Sequence, residues 1–183
     1  LSLHDALPIY GRRVRYERID ECVPAIERGE DEGISLGTIN SNTFQDDDYL
    51  LGSICAPDAR VRRKAVDHLL ECIDIMAQTG SRDLKLWFAD GTNYPGQDDI
   101  RARQDRLAEG LQEVYARLGE DQRMVLEYKF FEPAFYHTDI ADWGMAYAFC
   151  TQLGDRAQGR IEAGAIAAAG EDARADVGRA AGG

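Results

Sequence analysis

Glu127 and Lys129 stand two residues apart in Met124-Val-Leu-Glu-Tyr-Lys, a run rich in strand-forming residues. On a strand that spacing sends both side chains to one face. A carboxylate and an ammonium sharing a face can neutralise each other as an internal ion pair, since an isolated buried charge is very costly. Spacing alone favours that bland arrangement. The alternative is chemical: the carboxylate is a ligand for a hard divalent cation, and the ammonium beside it polarises a substrate oxygen.

Other residues with reactive side chains make weaker cases. His137 lies past the strand in a loop and reads as a surface histidine or one supporting a site. His68 sits mid-helix between Asp67 and Leu69 and reads as structural. Asp46-Asp-Asp48 reads as a solvated loop, because three consecutive acids point in different directions. Asp90 ends a strand and could support a site without touching substrate. The cysteines at 22, 55, 72 and 150 form no CxxC and have no histidine at zinc-ligand spacing. Cys72 and Cys150 fall on apolar helix faces, as reduced buried thiols do.

The elements that must position these residues alternate between two periods. Ile34–Asn40, Asp83–Asp90 and Met124–Lys129 read as strands. Between them, apolar residues recur at helical spacing from Val61 to Met76, with Asp58 as a cap and Gly80 as a stop. They recur again from Ile100 to Leu118, after Asp98 and before Gly119. A third helix is expected from Asp139, carrying Ile140, Trp143, Tyr147 and Cys150. Such a β-α-β-α-β-α order argues for parallel strands with crossover helices. An open doubly wound sheet and a closed barrel both satisfy it, and both place function at the C-terminal strand ends, where Asn40, Asp90, Glu127 and Lys129 lie. No Gly-x-Gly-x-x-Gly follows a strand, which argues against dinucleotide binding.

Composition excludes some classes. The chain carries a formal net charge of −12, which disfavours nucleic acid as a partner. No apolar run reaches membrane-spanning length. With 44% hydrophobic residues in 183, one domain can bury a sizeable core, and a cytoplasmic setting is expected. The ends differ from the middle. Residues 1–9 lack the features of a signal peptide and read as a non-native leader. Residues 158–183 contain nine Ala and six Gly in 26 positions, and read as a low-complexity, frameshifted tail in place of the next strand. Residues 10–157 are then the folded domain.

Glu127-x-Lys129, followed by Glu132-Pro133, resembles the strand motif of the xylose isomerase-like barrels. Two longer stretches are more specific. They are Leu84-Lys-Leu-Trp-Phe-Ala-Asp-Gly-Thr-Asn-Tyr-Pro-Gly-Gln-Asp-Asp and Glu127-Tyr-Lys-Phe-Phe-Glu-Pro-Ala-Phe-Tyr-His-Thr-Asp-Ile-Ala-Asp-Trp-Gly. Together they resemble the bacterial L-rhamnose isomerase family of broad substrate range, over roughly residues 33–157. The resemblance implies a partial (β/α)₈ TIM barrel of about three to four βα units, cut from an enzyme that interconverts an aldose and a ketose, L-rhamnose and L-rhamnulose first. It implies that Glu127 binds a divalent metal, manganese before magnesium, cobalt or zinc, and that Lys129 contacts substrate near its carbonyl end. Trp87 would line the sugar site, where an indole face suits sugar C–H groups; a core tryptophan is the plainer alternative. Phe44 resembles a residue in a segment that helps close a neighbouring subunit's site, and the parent enzyme would be a homo-oligomer, a tetramer, acting on a small-molecule sugar. A sugar epimerase of the same superfamily and a non-catalytic half-barrel that self-associates are the alternatives.

Departures from the family matter as much. An Asp-x-Gly-His-His stretch should follow and supply further metal ligands, and none exists here. The family's Gly-Ser-x-x-His has become Gly52-Ser-Ile-Cys-Ala56. His4, inside the suspect leader, does not take over that role. The expectation for these 183 residues is a site too incomplete to turn over substrate.

Overall fold

A computed structural model of the chain describes residues 8–9, 12–13, 31, 33, 35–93, 97–129 and 136–161. Four strands form one parallel sheet: β1 (Thr38–Asn40), β2 (Asp83–Trp87), β3 (Arg123–Tyr128) and β4 (Ala157–Ile161). Their spatial order is their order along the chain. Helices α1 (Ala59–Thr79), α2 (Ile100–Arg117) and α3 (Trp143–Leu153) make the three crossovers. A doubly wound sheet reverses its order at a switch point. This one never reverses, and right-handed crossovers in an unreversed order put every helix on the same side. That is the arrangement of consecutive βα units of a (β/α)₈ barrel, so the partial-barrel expectation holds.

Burial follows the two faces of the sheet. Leu84, Leu86, Met124 and Leu126 are fully buried and join Leu69, Met76, Leu107, Leu111 and Val114 of the helices in one core. The other face carries Thr38 and Asn40 of β1, Asp83, Lys85 and Trp87 of β2, Val125 and Glu127 of β3, and Gln158 and Arg160 of β4. The pairings Asn40↔Lys85, Trp87↔Glu127 and Glu127↔Arg160 set these side by side. In a closed barrel this polar face is the interior.

Caps explain where the helices begin and end. Asp58 Oδ1 accepts the Arg60 amide at 2.8 Å, and Gly80 stops α1 in the left-handed conformation at φ 68°, both as the residue types predict. The cap of α2 is Asp99, one residue later than expected, because Asp98 is taken by Arg103 and Arg106. That helix ends at Leu118 in extended backbone, so Gly119 is not its stop. The expected start of α3 at Asp139 is corrected to the Asp142 cap, whose Oδ1 accepts the Met145 amide at 2.9 Å. Asp139 is instead buried against Arg103. The inward face of α3 is Ala146, Phe149 and Cys150, while Trp143 and Tyr147 are both 53% exposed.

The expectation that no strand follows α3 is overturned. Ala157–Ile161 pairs with β3 along its whole length, from Met124↔Ala157 to Tyr128↔Ile161. Its apolar signal is thin, but small residues on the helix side suffice, with a Cβ at Gly159 lying 3.5 Å from that of Ala146. Residues 162–183, which make up most of the expected tail, fall outside the described residues. So do residues 1–7 of the expected leader; Pro8–Ile9 pairs antiparallel with Arg12–Arg13. No helix among the described residues is long and apolar enough to cross a membrane.

Candidate active-site face

Glu127 is the last residue of β3 on the polar face, with only 4% of its side chain exposed. Its register partner on one side is Trp87, and on the other Arg160. The ion pair that neutralises it reaches across from β2: Lys85 Nζ meets Glu127 Oε2. That oxygen makes the ion pair without a hydrogen bond of regular geometry. Spacing within one strand does not say which residue of the neighbouring strand comes alongside, so sequence does not single out Lys85. Period-two alternation in Leu84-Lys-Leu-Trp does place Lys85 and Trp87 on one face, and that is the available signal.

Lys129, just past the end of β3, lies with its ammonium 4.4 Å from the centre of the Trp87 ring. Such a contact contributes about 0.5–1 kcal/mol at an exposed site. Phe44 approaches the same indole edge-on, with ring centres 4.8 Å apart and planes at 69°. The four residues singled out by sequence, Glu127, Lys129, Trp87 and Phe44, therefore gather at the C-terminal ends of β2 and β3. Phe44 packs here on this chain's own Trp87. Arg160, which composition assigns to a tail, joins the same face. The alternation of Ala157, Gly159 and Ile161 with Gln158 and Arg160 is the signal for it.

The loop that carries Phe44 is held from below. Asn42 N–H donates to His68 Nε2 at 3.1 Å, so that nitrogen carries no proton and the imidazole is neutral. Burial lowers the His68 pKa from 6.5 to about 4. Between those two values the unfolded chain binds a proton at His68 that the folded chain does not. Stability is therefore intact above pH 6.5 and falls as the pH drops toward 4, by up to about 3 kcal/mol. Urea denaturation of wild type and His68→Gln between pH 7 and 4 checks this, and equal pH slopes for the two proteins would refute it.

Asp90 has a structural assignment. It is buried, and its carboxylate accepts from the Ser53 amide at 2.7 Å, the Ser53 hydroxyl at 2.6 Å and the Cys55 amide at 2.9 Å. Burial raises its pKa, while these three donors oppose the rise. It latches the Gly52–Ala56 turn to the end of β2. Beneath it, Arg103 forks onto Asp139, with contacts of 2.7 to 3.1 Å, and reaches Asp98 at 3.0 Å. A cleft of about 630 Å³ opens beside this network, lined in part by Phe44, Asp90, Arg103 and Tyr136. Its size suits a small molecule.

These residues do not make a divalent-metal site by themselves. Among the described residues no three His, Cys, Asp or Glu side chains converge. An ammonium already sits at Glu127, the carboxylate on the polar face at the C-terminal end of β3. The helix thiols offer no alternative chemistry: burial pushes Cys72 to about 12 and Cys150 to about 11, which leaves both inert.

No protein-family model matches the chain. A probable sugar isomerase of Rhizobium meliloti is 36% identical over 161 residues, covering 85% of this chain and 37% of that protein. Another from Mesorhizobium japonicum is 42% identical over 130 residues, covering 68% of this chain and 30% of that protein. The chain thus spans about a third of the length of these relatives. Among solved structures, the apo 3-keto-D-glucoside 4-epimerase of E. coli superposes with a TM-score of 0.61 at 12% identity, over 81% of this chain and 56% of that one. D-psicose 3-epimerase in the presence of D-fructose gives 0.61 at 14%, over 82% and 50%. The chain is similar in sequence to proteins named as sugar isomerases and shares the barrel fold of sugar epimerases.

Proposed function

We propose that the protein to which this fold belongs interconverts isomeric sugars at the C-terminal mouth of the barrel, and that its reaction is aldose–ketose isomerisation with L-rhamnose and L-rhamnulose as the leading pair. The observation that carries the reading is the gathering of Glu127, Lys129, Trp87 and Phe44 at the C-terminal ends of β2 and β3, in a chain 36% identical over 161 residues to a probable sugar isomerase. In this reading Trp87 offers its indole to the C–H side of the sugar and Lys129 donates to an oxygen near the reacting carbonyl. Glu127 is one ligand of a divalent metal, manganese first, whose other ligands lie outside the described residues. When bound, such an ion would stabilise charge developing on adjacent sugar oxygens. The whole enzyme would be a homo-oligomer.

A second reading, epimerisation of a ketose, is favoured by the solved epimerases that share the fold. Product analysis of a version extended to the length of the relatives separates the two: aldose appearing from ketose supports isomerisation, and a second ketose supports epimerisation. Glu127→Gln in that version should abolish either activity, and retention of full turnover would sink both. The 183 residues alone should show no turnover with added manganese, because among the described residues no three His, Cys, Asp or Glu side chains converge to hold an ion that takes about six oxygen ligands. Product formation near the rate of a full-length relative would overturn that expectation.

A further inference from the structure

His68 is a half-buried titratable group that the chemistry above does not use. It lies in the middle of α1, on the helix side of the sheet, yet its Nε2 accepts the backbone N–H of Asn42 at 3.1 Å. Asn42 in turn closes a small turn. Its side chain donates to Gln45 Oε1 at 3.2 Å and accepts the Gln45 amide at 3.3 Å. Phe44 is inside that turn, and its ring meets Trp87 at 4.8 Å. Just upstream, Ser41 N–H donates to Lys85 O at 3.2 Å and is the last ladder contact of β1. Beyond that point the chain is fixed by His68 on one side. On the other, Lys64 pairs with Asp46 and Asp48 at 2.8 and 2.5 Å. These pairs are solvent-exposed and hold a segment weakly. A half-buried acceptor on a backbone amide holds it better, because leaving that amide unmatched costs part of its desolvation.

We infer that His68 is a positioning residue for the proposed sugar site: its unprotonated Nε2 anchors the Asn42–Gln45 turn so that Phe44 stays seated on Trp87. The inference rests on the sugar-site reading for its purpose, but not for its physical content. His68 acts on the site through Asn42. The charged side chains that line the same hollow as His68 are Arg60, Arg63, Lys64, Asp67 and Glu71 of its own helix and Asp46 of the loop, with the Tyr49 phenol. Cys72, one turn along, lies 3.8 Å from the same nitrogen and is too weak a donor to replace the amide.

The test uses the chain as it is, in a Trp143→Phe background so that Trp87 is the one indole. His68→Phe removes the acceptor and keeps a ring; His68→Gln keeps an acceptor at similar reach. The inference expects His68→Phe to speed hydrogen exchange of the Asn42 amide about tenfold and to raise acrylamide quenching of Trp87. His68→Gln should restore both. Unchanged exchange and quenching in His68→Phe overturns the inference, and so does failure of His68→Gln to rescue. If His68→Phe does not fold, acid titration of the Trp143→Phe chain substitutes: quenching of Trp87 should rise with the same midpoint as the His68 ring resonances and stay flat in His68→Gln. Different midpoints overturn it. In an active extended version the same Phe variant should raise KM more than it lowers kcat. Absence of the quenching effect would refute the positioning role, whereas absence of any sugar turnover would refute only the sugar-site reading.

Discussion

Replacing Lys85 with methionine should destabilise the chain by about 3 kcal/mol in urea denaturation at neutral pH. The cause is the carboxylate left behind rather than the attraction removed. Glu127 is 4% exposed, and Lys85 provides its ion pair from the adjacent strand. Removing one partner of a buried pair strands a charge in a poor solvent, which costs more than the pair contributes. The single variant should therefore raise the pKa of Glu127 and tie stability to acid: the protein becomes more stable as the pH falls and the stranded carboxylate is protonated. Adding Glu127→Gln should recover most of the stability, because no charge then remains to desolvate. A double variant as unstable as Lys85→Met alone would show that Lys85 acts by packing. The same ion pair bears on the proposed metal. If Glu127 holds a cation as proposed, the Lys85 ammonium that now pairs with it would have to give way, and Lys85 would set a threshold for metal entry.

The largest single loss of stability should come from Arg103→Leu, at about 3–5 kcal/mol. Arg103 is 2% exposed and its guanidinium satisfies Asp139 through both Nε and Nη2, and Asp98 through Nη1. Without it, Asp139 stays buried, 8% exposed, in the same acidic surroundings as Asp90. Lysine should recover little of the deficit, since a point charge cannot reproduce the fork. The effect should spread to the mouth of the barrel. Asp139 N–H donates to the Asp90 backbone carbonyl at 2.8 Å, and Asp90 holds the Gly52–Ala56 turn. Thermal melting with Arg103→Lys as the control measures this. A leucine variant within about 1 kcal/mol of wild type, the size of an ordinary substitution, would refute the account.

Sequence makes the core elements legible because periodicity and caps are local. The apolar spacing of α1 and its Asp58 and Gly80 boundaries are readable residue by residue. So is the common face of Glu127 and Lys129. What stays hidden is relational. Asp98 and Asp139 are good capping residues by type, yet both are diverted to Arg103, a buried cation that nothing in an amphipathic helix announces. Sequence spacing points Glu127 to Lys129, two residues along. Its ion pair comes instead from the neighbouring strand, because register decides cross-strand neighbours. β4 escapes notice for another reason. A strand held chiefly by its backbone ladder against β3 and by close packing of Gly159 on α3 needs few bulky side chains, so its composition looks like a linker.

The unreversed strand order has a further consequence, for assembly during synthesis. Within this four-stranded sheet, each strand after β1 pairs with the one made just before it, across a single helix. Each β-α-β step can therefore close as soon as its second strand is available, without waiting for a distant partner. Each closure spans a single crossover, from Thr38 to Asp83, from Asp83 to Arg123 and from Met124 to Ala157, and early units present a ready edge to later ones. The order in which the ribosome delivers the residues is thus also the order in which this sheet can grow.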